Sequence, residues 1–263
     1  CPVAMFSAAG SATSMPFMRL AKFAPKPILC SILPAEAMRL AWSIAARCAE
    51  TGMFGIAVSS SSPAVAARCA YARAGVGAFG TQNITDPRLG PLGLDLMAEG
   101  ASAVEAMAAL VQSAPHIEYR QLIAVDAAGG TAVHSGERTL GTYATVQAHN
   151  AVAAGNLLRN GEVPAAMLGA FQRAQGHLGD RLLQAMAAAI TAGGEEGPVH
   201  SAGMILVRDV PWPVADLRVD WAEDDPIGQL HKLWDIYKPQ LEAYVTRALN
   251  PTGAPSFGVP GDR

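Results

Sequence analysis

The sequence predicts an α+β protein in which antiparallel strands and helices form stacked layers. Apolar runs joined by short turns that contain glycine, at residues 42–59 and 121–134, indicate β-hairpins and therefore antiparallel pairing. Between residues 151 and 191, apolar positions recur at spacings of three and four residues, which is typical of helices. Strands and helices alternate in blocks along the chain, and this order favours a sandwich with helical layers on both faces.

The individual strands are predicted from short apolar or alternating runs bounded by turn residues. They lie at residues 42–47, 53–59, 75–82, 121–126, 131–134, 142–147, 201–207 and 215–219. The helices are predicted from apolar periodicity or from alanine-rich composition, and lie at residues 63–73, 93–99, 102–113, 151–159, 163–175, 179–191 and 226–249. Glycines in the strand at 75–82 indicate that another backbone or a ligand approaches it closely.

Composition and charge argue against two classes of partner. The 263-residue chain has 19 Lys and Arg against 22 Asp and Glu, a formal net charge of −3. Binding to nucleic acid or to an anionic membrane would need clustered basic residues, so we expect neither. Apolar residues make up 51% of the chain and charged residues 16%, a low charged share for the surface of a monomer. We therefore expect a homodimer.

Domain boundaries are predicted from turn residues and from the position of the first convincing strand. Residues 38–250 are expected to form one domain, and the Pro- and Gly-rich residues 251–263 a flexible tail. Residues 1–37 are expected to be a poorly ordered or non-native extension. Their short apolar segment imitates a signal peptide, but it is too short and is crowded by prolines, so we expect a cytoplasmic protein without a membrane span.

The cysteines and histidines indicate no metal centre. Cys1, Cys30, Cys48 and Cys69 form no CxxC pair, and no histidine cluster has the spacing of metal ligands. Cys48 and Cys69 lie among apolar or small residues and are expected to be reduced core thiols. The glycine spacing in residues 75–80 does not match a dinucleotide-binding fingerprint. We therefore expect no metal and no cofactor.

Polar residues cluster next to two of the predicted strands. Ser59 and Ser60 begin a run of four serines between a strand and a helix. Hydroxyls and amides in such a place could bind an anion or a developing oxyanion, or could simply cap the helix. Thr81, Gln82 and Asn83 end the glycine-rich strand, and loops after strands often carry recognition residues.

Three further positions are candidates on local grounds. Asn156 follows Gly155 and could donate to an oxyanion or cap a turn. His149 lies in a polar break, where a His could act near neutral pH or have a structural role. Ser201 follows His200 at the start of a strand, although adjacent strand residues point to opposite faces, which counts against a cooperating pair.

Ordered sequence motifs run through most of the chain after residue 40. The first is an aromatic-Ser-Ile strand that begins at Trp42, followed by a turn that ends in Thr51 and Gly52. Further motifs follow in order at residues 55–59, 72–78, 81–82, 90–94, 119–121, 155–157, 193–194, 200–202, 216–220 and 225–227. In this order they resemble the bacterial and archaeal family named Domain of Unknown Function 1028. The resemblance implies a four-layer αββα sandwich of the N-terminal-nucleophile (Ntn) hydrolase-like type, and a hydrolase without an assigned substrate.

The resemblance also indicates where a nucleophile is expected. An Ntn enzyme uses an N-terminal Thr, Ser or Cys whose own α-amino group is the general base. The family frequently has Thr directly before its aromatic-Ser pair, and here that position is Ala41, so the nearest hydroxyl is that of Ser43. We therefore name as candidate catalytic residues Ser43, Ser59 and Asn156. The candidate substrate-binding residues are Ser60, Thr81, Gln82, Asn83, His149 and Ser201.

The leading hypothesis is a hydrolase that cleaves an amide or related C–N bond of a small molecule. The alternative is a non-catalytic protein on the same scaffold that binds a small ligand or supports an assembly, which Ala41 favours. An internal Ser or Thr nucleophile is a third hypothesis.

Overall fold

The computed structural model describes residues 41–256. The predicted extension at residues 1–37 and residues 257–263 of the predicted tail lie outside this range. Among the described residues, the strands are β1 (Ala41–Arg47), β2 (Phe54–Ser60), β3 (Ala70–Arg73), β4 (Gly77–Asn83), β5 (Arg120–Asp126), β6 (Thr131–Ser135), β7 (Ala144–Ala148), β8 (Ala151–Asn156), β9 (Ser201–Val207) and β10 (Ala215–Val219).

The helices follow the strands in blocks. They are α1 (Ala66–Cys69), α2 (Leu89–Ala98), α3 (Ala103–Ser113), α4 (Val163–Arg173), α5 (Leu178–Thr191), α6 (Pro226–Tyr237) and α7 (Leu241–Leu249). Short 3-10 turns lie at Ile117–Tyr119, Lys238–Gln240 and Pro251–Gly253.

The strands form two antiparallel sheets. The larger sheet has the order β10-β9-β2-β1-β8-β7, and the smaller has the order β3-β4-β5-β6. In the larger sheet β1 is central, because it pairs with β2 on one side and with β8 on the other. The start of β1 is therefore enclosed by the end of β2 and the end of β8.

Three apolar layers separate the elements. The middle layer lies between the two sheets and includes Ile56 of β2 and Ile123 of β5. α4 and α5 cover the outer face of the larger sheet, where Trp42 and Leu182 share one core. α2 and α3 cover the outer face of the smaller sheet, around Phe79. The order helices, sheet, sheet, helices confirms the predicted α+β, four-layer αββα sandwich.

Two predictions from composition concern the described residues. Cys48 and Cys69 are buried, free thiols, as predicted. No helix within residues 41–256 combines the length and the apolar character needed to cross a membrane.

The helix predicted at residues 151–159 is wrong, because β8 occupies Ala151–Asn156. The alanine-rich run has apolar residues at helical spacing, yet every residue of the strand is buried. A strand of small residues buried on both faces cannot be distinguished from a buried helix by periodicity alone. Pairing with β1 and β7 stabilises the extended form.

Two other helix predictions are wrong in extent. Within residues 63–73 only Ala66–Cys69 is helical, and Ala70–Arg73 pairs with β4 as a strand. The helix predicted at residues 226–249 is interrupted by the 3-10 turn Lys238–Gln240. Pro239 lies in that turn, and a proline inside a helix removes a backbone N–H donor and crowds the preceding turn.

The glycines of β4 meet their neighbours closely, as the sequence predicts. A Cβ atom at Gly77 would lie 2.3 Å from the carbonyl oxygen of Val125. A Cβ atom at Gly80 would lie 2.8 Å from the side chain of Ile123. The partner that approaches is therefore the neighbouring strand β5.

Candidate functional site

Polar residues collect at one end of the larger sheet, where β1 begins. Ala41 lies opposite Asn156 in β8, and Ser60 of β2 lies opposite Ser201 in β9. Residues paired across strands, or two apart along one strand, have side chains on the same face of a sheet. Ser43 therefore shares its face with Ala41, and all five positions face the smaller sheet.

Four buried side chains form a hydrogen-bonded inter-sheet network (Ser43, Gln82, Gln121 and Asn156). Ser43 Oγ donates to Gln82 Oε1 at 2.7 Å, and Gln82 Nε2 donates to Gln121 Oε1 at 2.7 Å. Asn156 Nδ2 donates to the same Gln121 oxygen and to the Ala41 carbonyl oxygen, both at 3.3 Å. None of the four is more than 2% exposed. Burying polar side chains costs free energy unless their hydrogen bonds are satisfied. A cluster of them at one end of the core is therefore a candidate functional site.

A second group at the same end is the serine cluster (Ser59, Ser60, Ser62 and Ser201). Ser59 Oγ donates to the Ser201 carbonyl oxygen at 2.9 Å, and Ser201 Oγ donates to the Ser62 carbonyl oxygen at 2.6 Å. The hydroxyl oxygens of Ser60 and Ser62 lie 2.8 Å apart, and Arg68 donates to Ser62. These bonds fix the chain that leaves β2 against the start of β9.

Glu195 adds a buried carboxyl group to this end of the sheet. Its Oε2 accepts a hydrogen bond from the backbone N–H of Ser61 at 3.2 Å. Its Oε1 makes no hydrogen bond to any residue of the described range. Burial raises the pKa of Glu195 to about 9, and the hydrogen bonds from Ser61 oppose this only in part. The carboxyl is therefore protonated at neutral pH in the folded protein.

The chain around Glu195 crosses the end of β8. Glu195 forms an isolated β-bridge with Leu158, which follows Asn156 by two residues. The adjacent backbone of Gly194 accepts a hydrogen bond from Arg159 N at 3.1 Å. Because Ser61 follows β2 and Leu158 follows β8, Glu195 spans the two strands that flank the start of β1.

β1 begins with an alanine and a buried tryptophan. Ala41 and Trp42 are both paired with β8, and Trp42 is 0% exposed. Trp42 faces α4 and α5, on the opposite side of the sheet from Ser43. Its Nε1 makes no hydrogen bond within residues 41–256. Trp42 is therefore held by packing and strand pairing.

Three of the predicted site residues lie apart from these two groups. Thr81 is on the opposite face of β4 from Gln82 and donates to the Asp86 carbonyl oxygen at 3.4 Å. Asn83 donates to the Tyr119 carbonyl oxygen and accepts from Leu140 N. His149 is exposed in the turn before β8, and seven residues of chain separate it from Asn156, about 20 Å in an extended strand.

Sequence reasoning did not single out Gln121 and Glu195. Gln121 lies in a predicted strand that is otherwise almost wholly apolar, and a polar residue in such a run is a signal of a buried network. Glu195 follows two glycines just after a predicted helix, in a segment with no predicted element, where an acid is ordinarily exposed. No local pattern indicates its burial.

The donors and acceptors of the site are amides, hydroxyls and one carboxyl group. Among residues 41–256 no three His, Cys, Asp or Glu are placed to hold a metal ion. Side chains of this kind bind polar groups of a ligand by hydrogen bonds, and a donating amide can stabilise a developing oxyanion.

The αββα sandwich thus carries its polar site at the start of the central strand β1. The model of a family of unknown function, DUF1028, matches residues 41–230. The chain belongs to this family, which confirms the resemblance seen in its motifs.

Solved structures give three comparisons. Protein SPO2555 from Silicibacter pomeroyi, itself assigned to DUF1028, has 28% identity and a TM-score of 0.70, over 75% of this chain and 88% of that one. Eukaryotic HslV from Trypanosoma brucei has 13% identity and a TM-score of 0.38, over 64% and 99%. Anbu (ancestral beta-subunit) from Yersinia bercovieri has 11% identity and a TM-score of 0.36, over 77% and 97%. No curated protein matches the chain.

Proposed function

We propose that this protein is a hydrolase that cleaves an amide or related C–N bond of a small molecule, with its reaction site at the start of β1. The observation that carries the proposal is the meeting of Ser43, Gln82 and Asn156 in one buried network at that place. The family resemblance to an Ntn-hydrolase-like protein supports the choice of reaction, because an Ntn enzyme uses the first residue of its processed chain as the nucleophile.

In this proposal Ser43 is the nucleophile. Its Oγ attacks the carbonyl carbon of the substrate, and Asn156 Nδ2 donates to the oxyanion that forms. In the intact chain Ser43 Oγ donates to the Gln82 amide oxygen, which accepts a hydrogen bond but removes no proton. The base is therefore the α-amine of Ser43, released by cleavage of the chain after Trp42. That amine takes the hydroxyl proton and delivers it to the leaving amine, and water then hydrolyses the ester.

The remaining predicted residues divide by position. Ser60, Gln82 and Ser201 are proposed to contact the substrate, because they lie on or opposite the face of the larger sheet that carries Ser43. Ser59 and the main-chain contacts of Thr81 and Asn83 are proposed to hold these groups in place. The role predicted for His149 stays a prediction, since its exposed turn lies at the far end of β8.

Intact-mass measurement of the purified full chain tests this proposal. We expect a chain that begins at Ser43, and an uncleaved chain in the variant Ser43→Ala. Ser113→Ala is the matched control, because Ser113 is exposed at the end of α3 and its cleavage should match that of the wild type. Amide hydrolysis by a chain that still contains Trp42 would contradict the mechanism.

A second candidate function is the binding of a small ligand without catalysis, and Trp42 favours it. Cleavage after Trp42 would remove a fully buried side chain from the core, a loss that costs about 3–5 kcal/mol for an aromatic residue. A chain that retains Trp42, binds a small amide in calorimetry and turns over none would support this candidate over the hydrolase.

We also propose that the protein is a cytoplasmic homodimer. Ile236 of α6 and Leu249 of α7 are 65% and 64% exposed, and exposed apolar side chains are suited to an interface. The free thiols of Cys48 and Cys69 fit a reducing compartment. Light scattering at micromolar concentration that shows only a 27.2 kDa particle would contradict the dimer, and recovery in a periplasmic or secreted fraction would contradict the location.

A further inference from the structure

Glu195 is a buried acid that the proposed reaction does not use. It is 3% exposed, and one of its two oxygens makes no hydrogen bond to any described residue. A buried carboxyl oxygen without a hydrogen-bond partner destabilises the folded protein, because it has lost its hydrogen bonds to water and gained none in return. The oxygen Glu195 Oε1 is therefore expected to take a partner that residues 41–256 do not provide.

A second buried acceptor without a partner lies close by. Asn156 Oδ1 makes no hydrogen bond within residues 41–256, although Asn156 Nδ2 makes two. Asn156 and Leu158 are two residues apart, and Leu158 is bridged to Glu195. The Cα atoms of Asn156 and Glu195 are therefore separated by no more than about 12 Å. Both acceptors belong to the same end of the larger sheet.

The chemistry of these two acceptors points to one kind of ligand group. A carboxylate in a dry site is stabilised by an opposite charge with hydrogen-bond donors, and a primary ammonium group has one positive charge and three donors. The nearest charged side chains along the chain offer no such pairing. Arg159 and Glu196 are exposed, and Arg68 donates to Ser62 and to two backbone carbonyl oxygens.

We propose that Glu195 and Asn156 bind a primary ammonium group, and hence that the substrate is a small amide that also carries a primary amine. That the bound molecule is a substrate rests on the proposed hydrolase function. The ammonium site itself does not depend on catalysis. The same chemistry has a second source, the α-ammonium group of a chain cleaved before Ser43, and the experiment below distinguishes the two.

Binding of this kind is coupled to a proton. The pKa of Glu195, about 9, means that the carboxyl carries a proton at pH 7. An ammonium ion binds the carboxylate, so the carboxyl proton is released to solvent as the ion pair forms. Below that pKa, the affinity for an alkylammonium ion is expected to rise up to tenfold for each pH unit.

Titration calorimetry of the full chain with propylammonium chloride tests the inference. The titrations are made at pH 7 and pH 8 in two buffers of different ionisation enthalpy. We expect affinity to rise about tenfold between the two pH values, with about one proton released per ligand at pH 7. Glu195→Gln should weaken binding at least tenfold at pH 8. The matched control Glu196→Gln removes an adjacent, exposed carboxylate and should bind as the wild type does.

Two further measurements distinguish a bound ligand from a new α-amine and a folded variant from an unfolded one. Ser43→Ala, which the proposed mechanism leaves uncleaved and inactive, should still bind propylammonium, and this assigns the site to a ligand instead of to a new α-amine. Failure of the hydrolase proposal with binding intact would leave the ammonium site standing. Equal binding by folded Glu195→Gln and wild type, or no binding by wild type, would overturn the inference. A melting curve of each variant confirms that it is folded.

Discussion

The ionisation of Glu195 is strongly coupled to folding. Its pKa rises from an ordinary 4.5 to about 9 in the folded protein because burial disfavours the carboxylate. The folded state therefore binds this proton more tightly than the unfolded state does. Stability from this group is fully present below pH 4.5 and is lost progressively as pH rises from there to about 9.

Glu195→Gln should remove this loss of stability. The amide carries no charge at any pH, so the melting temperature of the variant should rise above that of the wild type increasingly from pH 5 to pH 8. Thermal unfolding at several pH values measures the difference. Glu196→Gln is the control and should show no such trend, and identical pH profiles for Glu195→Gln and wild type would contradict the assignment.

Ser43 contributes to stability through Gln82. In Ser43→Ala the Gln82 Oε1 atom loses its donor in a buried place, which costs about 1–3 kcal/mol. Urea unfolding of the uncleaved chains should show that loss between wild type and Ser43→Ala with an unchanged slope, whereas Ser113→Ala on the exposed end of α3 should remain within about 0.5 kcal/mol of the wild type. An unchanged free energy of unfolding in Ser43→Ala would mean that the inter-sheet network is not tightly held.

The sequence identified some residues of the site, mainly those that lie in correctly predicted strands. Ser43 and Gln82 lie in strands that the patterns predict correctly, and the structure joins them by one hydrogen bond. Asn156 was named from its neighbour Gly155 although its element was assigned wrongly. Glu195 could not be found in this way, because its burial depends on the bridge it forms with Leu158, which is distant in the sequence.

At the scale of elements, strand pairing determines whether residues 151–156 form a strand or a helix, because the spacing of apolar residues fits both. Three of the six residues of β8 are alanine, and the spacing of apolar residues from 151 to 159 also fits a helix. In the fold, β8 lies between β1 and β7, and small side chains suit a strand that is covered on both faces. The error arose because the sequence pattern carries no information about which strands will be neighbours.

The close contact of β4 with β5 gives a test at this scale. Gly77→Ala would place a Cβ atom 2.3 Å from the backbone carbonyl oxygen of Val125, so the strands must shift. Overpacking of this kind costs about 1–3 kcal/mol in the free energy of unfolding. Gly161→Ala is the matched control, since nothing lies within 4 Å of its Cβ position, and it should be neutral. Equal unfolding free energies for the two variants would show that β4 is not packed as described.

At the scale of the whole molecule, the layered class could be predicted but the strand order could not. Hairpins and helix blocks indicate an α+β sandwich, because each apolar face needs a partner layer. The central place of β1 depends on its pairing with β8, which follows it by more than a hundred residues. That long-range pairing encloses the start of β1 and brings Asn156 next to Ala41.

The most direct test of the central claim is hydrolysis of small amides that carry a primary amine, followed by mass spectrometry of the released products. Turnover is expected from the wild type and from Ser113→Ala, with a loss of at least about a hundredfold in Ser43→Ala, which lacks the nucleophile. Equal turnover by Ser43→Ala and wild type would contradict a reaction site at the start of β1.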